Sequence, residues 1–343
     1  MDHSPLSIQR FVRRGPSDEI HSPLTTHHSL FTIDYSPLTN QQSNPGNSRA
    51  HIAVLLTNLF FASNYSLVKF ISPSVVGPYG LNIIRVGVSL LLFWGLWLSG
   101  KSLPGKKIVS PGIRKEHLGR FFLCGLMGVA INQMLFIKGL TMTSTIHASL
   151  LMLSTPLLIT ILAFWLLRER VTVAKISGLL LGIGGATLLI LSKEKSGTAS
   201  LSGDILIILN AIAYTYYFIL VKPLMEEYPP LHVVRWVFTF GFIMILPFGW
   251  PQFMETNWAA FEWTHIASLS FIVIFGTFLA YAFNVYGIRH LGAGITGSYI
   301  YTQPVFAAIV AVLFLGEKFT VAKLIAGLLI FAGVFLVSKK RTE

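Results

Sequence analysis

From His51 to Ser338 the chain repeats one pattern: an apolar run of about twenty residues, enough to cross about 30 Å of hydrocarbon as a helix, followed by a short polar break. Ten such runs fall near 51–71, 79–99, 119–138, 144–167, 173–192, 203–222, 231–249, 264–287, 294–315 and 321–338. The third carries Asn132 and Gln133 in mid-run, and only the turn from Arg289 to Ala293 parts the eighth from the ninth. The pattern predicts an all-α integral membrane protein with ten transmembrane helices. Residues 1–50 lack it. They are polar, with Ser-Pro-Leu at Ser4, Ser22 and Ser36 and Asn-Pro-Gly from Asn44, and read as a disordered tail without the apolar core of a signal peptide.

The runs fall into two sets of five. Shifting the numbering back by 148 carries Pro304 onto Pro156, Glu317 onto Glu169, Thr320 onto Thr172, Val321 onto Val173, Ala322 onto Ala174 and Lys323 onto Lys175. The same offset pairs Gly276 with Gly128, Gly287 with Gly139 and Gly333 with Gly185, so roughly 60 residues superpose without a gap. The chain therefore reads as two repeats, 51–192 and 203–338, joined by a linker at 193–202 and ending in a basic tail at 339–343. Because five is odd, the second repeat is inverted in the membrane relative to the first. Two inverted halves can exchange conformations about a midplane site, which is the geometry of alternating access.

Composition agrees: 53% of residues are apolar, 12% are charged and the mean hydropathy is +0.66, where soluble chains carry about a quarter charged residues. The net charge of +12 does not indicate a nucleic-acid partner, because the basic residues lie between apolar runs rather than on one polar surface. Of the 26 Lys and Arg, eighteen fall on the side that holds the N-terminus and six on the other, with Arg85 and Arg235 inside spans. The bias predicts a multi-pass protein of the cell (inner) membrane with both termini cytoplasmic. Cys124, the only cysteine, lies in an apolar run and packs there. Enzyme signatures such as HExxH, GxSxG and a phosphate loop are absent, so neither catalysis nor a cofactor or metal is expected. The expected partners are a small-molecule solute and the lipid bilayer, with a monomer as the simplest assembly.

Polar residues inside spans point to function, because burying them in hydrocarbon is costly and they face a bundle interior. Asn210, Tyr214 and Tyr217 share one face of span six, and Thr277, Tyr281 and Asn284 repeat that spacing in span eight. Asn58 and Tyr65 in span one, Asn132 and Gln133 in span three, His147 and Ser154 in span four, and Tyr299 and Gln303 in span nine complete the expected lining. Pro156 and Pro304 sit in mid-span, where each removes a backbone hydrogen bond and needs polar neighbours or a cavity to take up the freed carbonyl. Glu169 and Glu317 read as structural, each suiting the N-terminus of the next helix and neutralising Lys175 or Lys323 in its first turn. No acidic residue lies in mid-span, so a carboxylate proton relay has no candidate, and Arg85 and Arg235 read as snorkelling cations.

The segment LGAGITGSYIYTQPVFAAIVAVLFLGEKFTVAKLIAGLLIFAGV closely resembles the second EamA repeat of the drug/metabolite transporter (DMT) superfamily, with its mid-helix Pro, following Gly-Glu and Gly-rich last helix. The first half resembles the first repeat through ASNYSLVKF from Ala62, IIRVGVSLLL from Ile83 and FIKGLTMTSTIHASLLMLSTPLL from Phe136, with Arg168-Glu169 where Gly-Glu is commoner. The resemblance implies ten helices in two inverted five-helix EamA repeats, cytoplasmic termini, and a central cavity lined by spans 1, 3, 4, 6, 8 and 9. It also implies export of amino acids or other small metabolites. The glutamate that drives the short four-span members from their first helix has no counterpart between Asn58 and Lys69, and Tyr and Asn at mid-cavity favour an uncharged or zwitterionic, partly apolar solute. The alternative expectation is a channel-like facilitator or a non-transporting scaffold.

Overall fold

A computed structural model describes residues 46–99, 112–155, 157–158, 161–162, 173–191 and 200–338, without the side chains of a few of them. Every regular element among these is helical: α1 Gly46–Ile71, α2 Pro78–Leu98, α3 Lys115–Met142, α4 Thr145–Met152, α5 Val173–Leu191, α6 Leu201–Glu227, α7 Pro230–Met254, α8 Trp263–Gly287, α9 Gln303–Leu315 and α10 Val321–Ser338. Among the described residues, α1, α2, α3, α6, α7 and α8 are long and apolar enough to cross a membrane, and Ile176–Leu189 in α5, Tyr299–Leu315 ending in α9 and Val321–Leu336 in α10 are shorter apolar helices. Polarity runs from the inside out. Leu91, Leu98, Leu180, Phe314 and Phe335 are exposed, whereas Asn82, Arg85, Asn132, Gln133 and Asn210 are buried. Such a surface is stable only in hydrocarbon, and the chain is a multi-pass membrane protein.

Helices of one repeat pack chiefly on helices of the other. The main contacts are α2 with α7, α5 with α10, α3 with α6, and α1 with α8 and α9. Each of the first two pairs joins a helix to its own equivalent, and the α3–α6 contact is matched by the α8–α1 contact, as an approximate two-fold relation requires. The repeated glycines lie at these contacts. A Cβ on Gly128 or Gly139 would meet α6, and one on Gly276 or Gly287 would meet α1. A Cβ on Gly333 would lie 2.5 Å from Gly178 O and 2.6 Å from Gly182 N, so α5 and α10 touch backbone to backbone through the glycines of both repeats.

Three departures from the sequence reading bear on the site. First, α1 begins at Gly46 rather than His51, with Ala50 fully buried. Second, helical hydrogen bonding continues from α8 through the expected turn at 289–293 as far as Ser298. The chain nonetheless reverses there. In a straight helix Gly287 and Thr296 would be about 13.5 Å apart, yet a Cβ on Gly287 would lie 3.3 Å from Thr296 Cγ2. Third, Pro304 does not kink a continuous helix. A 3₁₀ turn at Tyr299–Thr302 breaks the chain before it, and Pro304 enters the first turn of α9, where a missing N–H costs nothing. The first repeat does the same one offset earlier, with i to i−3 bonds from Leu153 N to Leu150 O and from Ser154 N to Leu151 O. Pro156 itself lies outside the described residues.

Two π-helical turns obey the same offset, Leu126–Ala130 in α3 and Ile274–Leu279 in α8. A π turn inserts a residue into the helical phase and is found mostly at functional sites. Here each turn precedes cavity-lining polar residues on its own helix, Asn132 and Gln133 in α3 and Tyr281 and Asn284 in α8.

Candidate functional site

Residues that follow the π turns and that flank or lie in the helix breaks line a cavity of about 120 Å³ in the bundle. Of the fourteen residues expected to line a site, the structure places nine at this cavity: Tyr65, Asn132, Gln133, Asn210, Tyr214, Tyr217, Tyr281, Asn284 and Gln303. Gln133 and Tyr281 are equivalent under the 148-residue offset, and Gln133 Nε2 donates to Tyr281 Oη across 2.7 Å. The two repeats thus meet at the cavity through the same position of each. Asn132 and Asn210 clasp α3 to α6, each side-chain amide donating to the other's backbone carbonyl, at 3.3 Å and 2.7 Å. Replacing Asn210 with alanine should lower stability by about 0.6–1.7 kcal/mol, the range for interhelical hydrogen bonds in membranes, read as a shift in thermal melting in detergent.

Five expected residues lie elsewhere. Asn58 sits behind Gln303, accepting from its Nε2 at 2.8 Å, and lines a smaller adjoining cavity. Thr277 falls within the π turn of α8, donates to Ile272 O, and is turned out of phase with Tyr281. Ser154 donates to Leu151 O at the end of α4. Tyr299 meets His51 Nδ1 at 2.7 Å, near the start of α1. His147 is in the first turn of α4, capped by Ser144, and belongs to a polar cluster at one end of the bundle.

That cluster corrects the reading of the repeated glutamates. Gly316 takes φ +63°, a left-handed conformation that only glycine adopts freely, and ends α9 so that the chain turns back. Glu317 then caps a helix of the other repeat: its carboxylate accepts from Thr145 N at 2.8 Å and Ile146 N at 3.2 Å, at the start of α4. Its charge partner is Lys69 at 3.6 Å, which also donates to Thr143 O at 2.7 Å. Lys323 is instead buried and donates to Lys318 O, while Thr320 receives Lys323 N as an N-cap. Glu169 lies outside the described residues, as does the side chain of Lys175. Beside Glu317, Asp204 accepts from Thr143 Oγ1 and from His147 Nδ1, the latter at 3.3 Å, with both Asp204 and His147 at most 2% exposed. Asp204 stands in the first turn of α6. Its burial depends on Thr143 and His147 arriving from another repeat.

The cluster closes one end of the bundle, where α1, α3 and α9 finish and α4 and α6 begin. Toward it the lining residues Asn64, Tyr65 and Arg85 are buried. Away from it Tyr217, Phe218 and Met225 are partly exposed. Arg85 is 2% exposed, lines the cavity and donates from Nε to Thr277 Oγ1 at 3.2 Å, so it does not snorkel. Arg235 does not snorkel either; it is buried with its guanidinium 4.5 Å and 4.4 Å over the rings of Trp94 and Trp97. Sequence reading also missed Asn64 and the apolar liners Phe61, Phe136 and Phe218. An apolar side chain reads alike whether it faces lipid or a cavity, so no signal marked them.

Comparison with known proteins agrees with this architecture. An archaeal protein from Archaeoglobus fulgidus named an uncharacterized transporter is 27% identical, covering 87% of this chain and all of that protein. A probable terminal-alkyne amino-acid exporter from Streptantibioticus cattleyicolor is 26% identical over 85% of this chain and 94% of its own length. An uncharacterized inner membrane transporter from Salmonella typhimurium is 26% identical over 83% and 93%. A solved crystal structure superposes with a TM-score of 0.55 at 18% identity, covering 84% of this chain and 96% of that one, which speaks to the fold alone. Residues 48–191 and 201–339 each match the EamA-like transporter family, once per repeat, and the chain belongs to that family.

Proposed function

We propose that the protein is a secondary carrier that exports small organic metabolites, amino acids or related solutes, by alternating access between two inverted repeats of five spans. The observation that carries this reading is the Gln133–Tyr281 hydrogen bond, which joins equivalent positions of the two repeats at the cavity. A rocking motion that exchanges the conformations of the halves keeps this contact near its axis, so solute can stay centred while access changes sides. Helix breaks before Pro304 and at Leu153–Ser154, and π turns in α3 and α8, supply paired points of bending. With both termini cytoplasmic, the Lys69–Glu317 cluster is the outer closure and the partly exposed lining near Met225 faces the cytoplasm. The exporter name of the Streptantibioticus relative supports amino-acid-like solutes and outward movement.

The test is counterflow in liposomes. Protein loaded with unlabelled solute inside should accumulate labelled solute transiently, with a saturable rate. Tyr281→Phe, which strips Gln133 of its acceptor, should lower that rate while leaving a folded protein. Uptake that neither saturates nor responds to solute on the far side identifies a channel instead. No flux of any solute from a folded preparation identifies a scaffold.

A further inference from the structure

Arg85 is a cation that the described protein leaves without a counter-charge. It is 2% exposed and lines the cavity; Nε is held by Thr277, and Nη1 is buried with no partner. Among the described residues no carboxylate lies within ion-pair distance of Arg85, and Glu317, Asp204 and Glu227 pair elsewhere, with Lys69, with His147, and with Arg114 and His117. Among the described side chains that line the cavity, Arg85 is the only charged one. An unpaired buried charge is strongly destabilising, and one retained inside a bundle marks a functional site. Arg235, on the equivalent helix α7 of the second repeat, shows what a structural arginine looks like here, stacked on two tryptophans and 3.0 Å from His232 Nδ1.

We infer that Arg85 anchors a carboxylate on the transported solute. This rests on the carrier reading and narrows its solute class to small organic acids, or zwitterions held by their acid group, with an apolar or aromatic body. With Nε committed to Thr277 and Nη1 enclosed without a partner, the Nη end of the guanidinium is the part left to take a carboxylate through charge-assisted hydrogen bonding. The one lining cation among the described side chains balances a single negative charge, whereas a phosphate dianion would leave one charge that these side chains do not compensate. Phe61, Tyr65, Phe136, Tyr214 and Phe218 provide the aromatic wall for the rest of the solute. Thr277 is a positioning residue in this scheme, turning the guanidinium fork rather than touching solute.

The experiment compares isosteric probes on the purified full-length protein by thermal shift, in which binding to the folded state raises the melting temperature. Benzoate and phenylacetate are set against benzamide, phenylacetamide and phenyl phosphate. Each carboxylate is expected to bind at least about tenfold more tightly than its amide, the order of a charge-assisted hydrogen bond. Arg85→Gln should erase that preference, and Arg85→Lys should restore only part of it. Thr277→Val should weaken carboxylate binding by a smaller factor and leave amide binding unchanged. Equal binding of acid and amide, retention of the preference in Arg85→Gln, or no binding of either carboxylate overturns the assignment. Tighter binding of phenyl phosphate also overturns it, in favour of phosphorylated solutes. If Arg85→Gln does not fold, the acid–amide comparison on the unaltered protein and the Thr277→Val variant still decide. Liposome flux of a bound carboxylate separates the two readings: binding without flux sinks the carrier and keeps the anchor, and flux without acid preference does the reverse.

Discussion

Replacing Glu317 with alanine is expected to lower the melting temperature of the protein in detergent and to open the end of the bundle that Glu317 closes. The carboxylate accepts two N–H groups at the start of α4 and pairs with Lys69, with side-chain exposures of only 10% and 21% for the pair. Removing one partner of a largely buried pair strands the other charge, a loss of about 3–5 kcal/mol, and solvent contact at Lys69 favours the lower end. Glu317→Gln should cost less, because an amide oxygen can still accept from one N–H of the helix start. Access is read separately. Cys124 is buried, so a cysteine introduced as Tyr65→Cys gives a thiol reporter on little background. A membrane-impermeant thiol reagent added from the Lys69 side should label it faster in the Glu317→Ala background. Unchanged melting together with unchanged labelling would remove Glu317 from the closure.

Gly333→Ala is the second large effect, and it acts through packing alone. The new methyl would press on Gly178 O and Gly182 N, which are backbone atoms and cannot rotate away, so α5 and α10 must separate. Overpacking of this kind costs about 1–3 kcal/mol even where side chains yield, and the upper end applies here despite the gain of about 1 kcal/mol in helix propensity. Gly184 is the control. Nothing lies within 4 Å of a Cβ there, so Gly184→Ala should be neutral or slightly stabilising. Equal melting temperatures for the two alanine variants would mean that α5 and α10 are not held by glycine contact.

How far the site was legible from sequence depended on the kind of residue. Asn132, Gln133, Asn210 and Tyr281 stood out because a polar side chain in an apolar run has few reasons to be there, and all four line the cavity. Thr277 was misjudged because a regular 3.6-residue phase was assumed through a π turn, and no local signal announces that turn. His147, Tyr299 and Arg85 were misjudged for another reason. Each has a partner, or lacks one, on a helix far away in sequence: Asp204 for His147, His51 for Tyr299 and, for Arg85, no carboxylate among the described residues.

Hydropathy and the 148-residue offset determined the membrane class, the helical character and the duplication, because each is written in properties that every stretch carries by itself: apolar length, glycine and proline positions, and charge at the ends. The tertiary structure decided which equivalent positions meet. Gln133 reaches Tyr281, Gly333 rests on Gly178 and Gly182, and Glu317 leaves its own helix to cap α4 beside Lys69. Those contacts join segments well over a hundred residues apart. Their energies depend on distance and burial, which a sequence states only after the chain has packed.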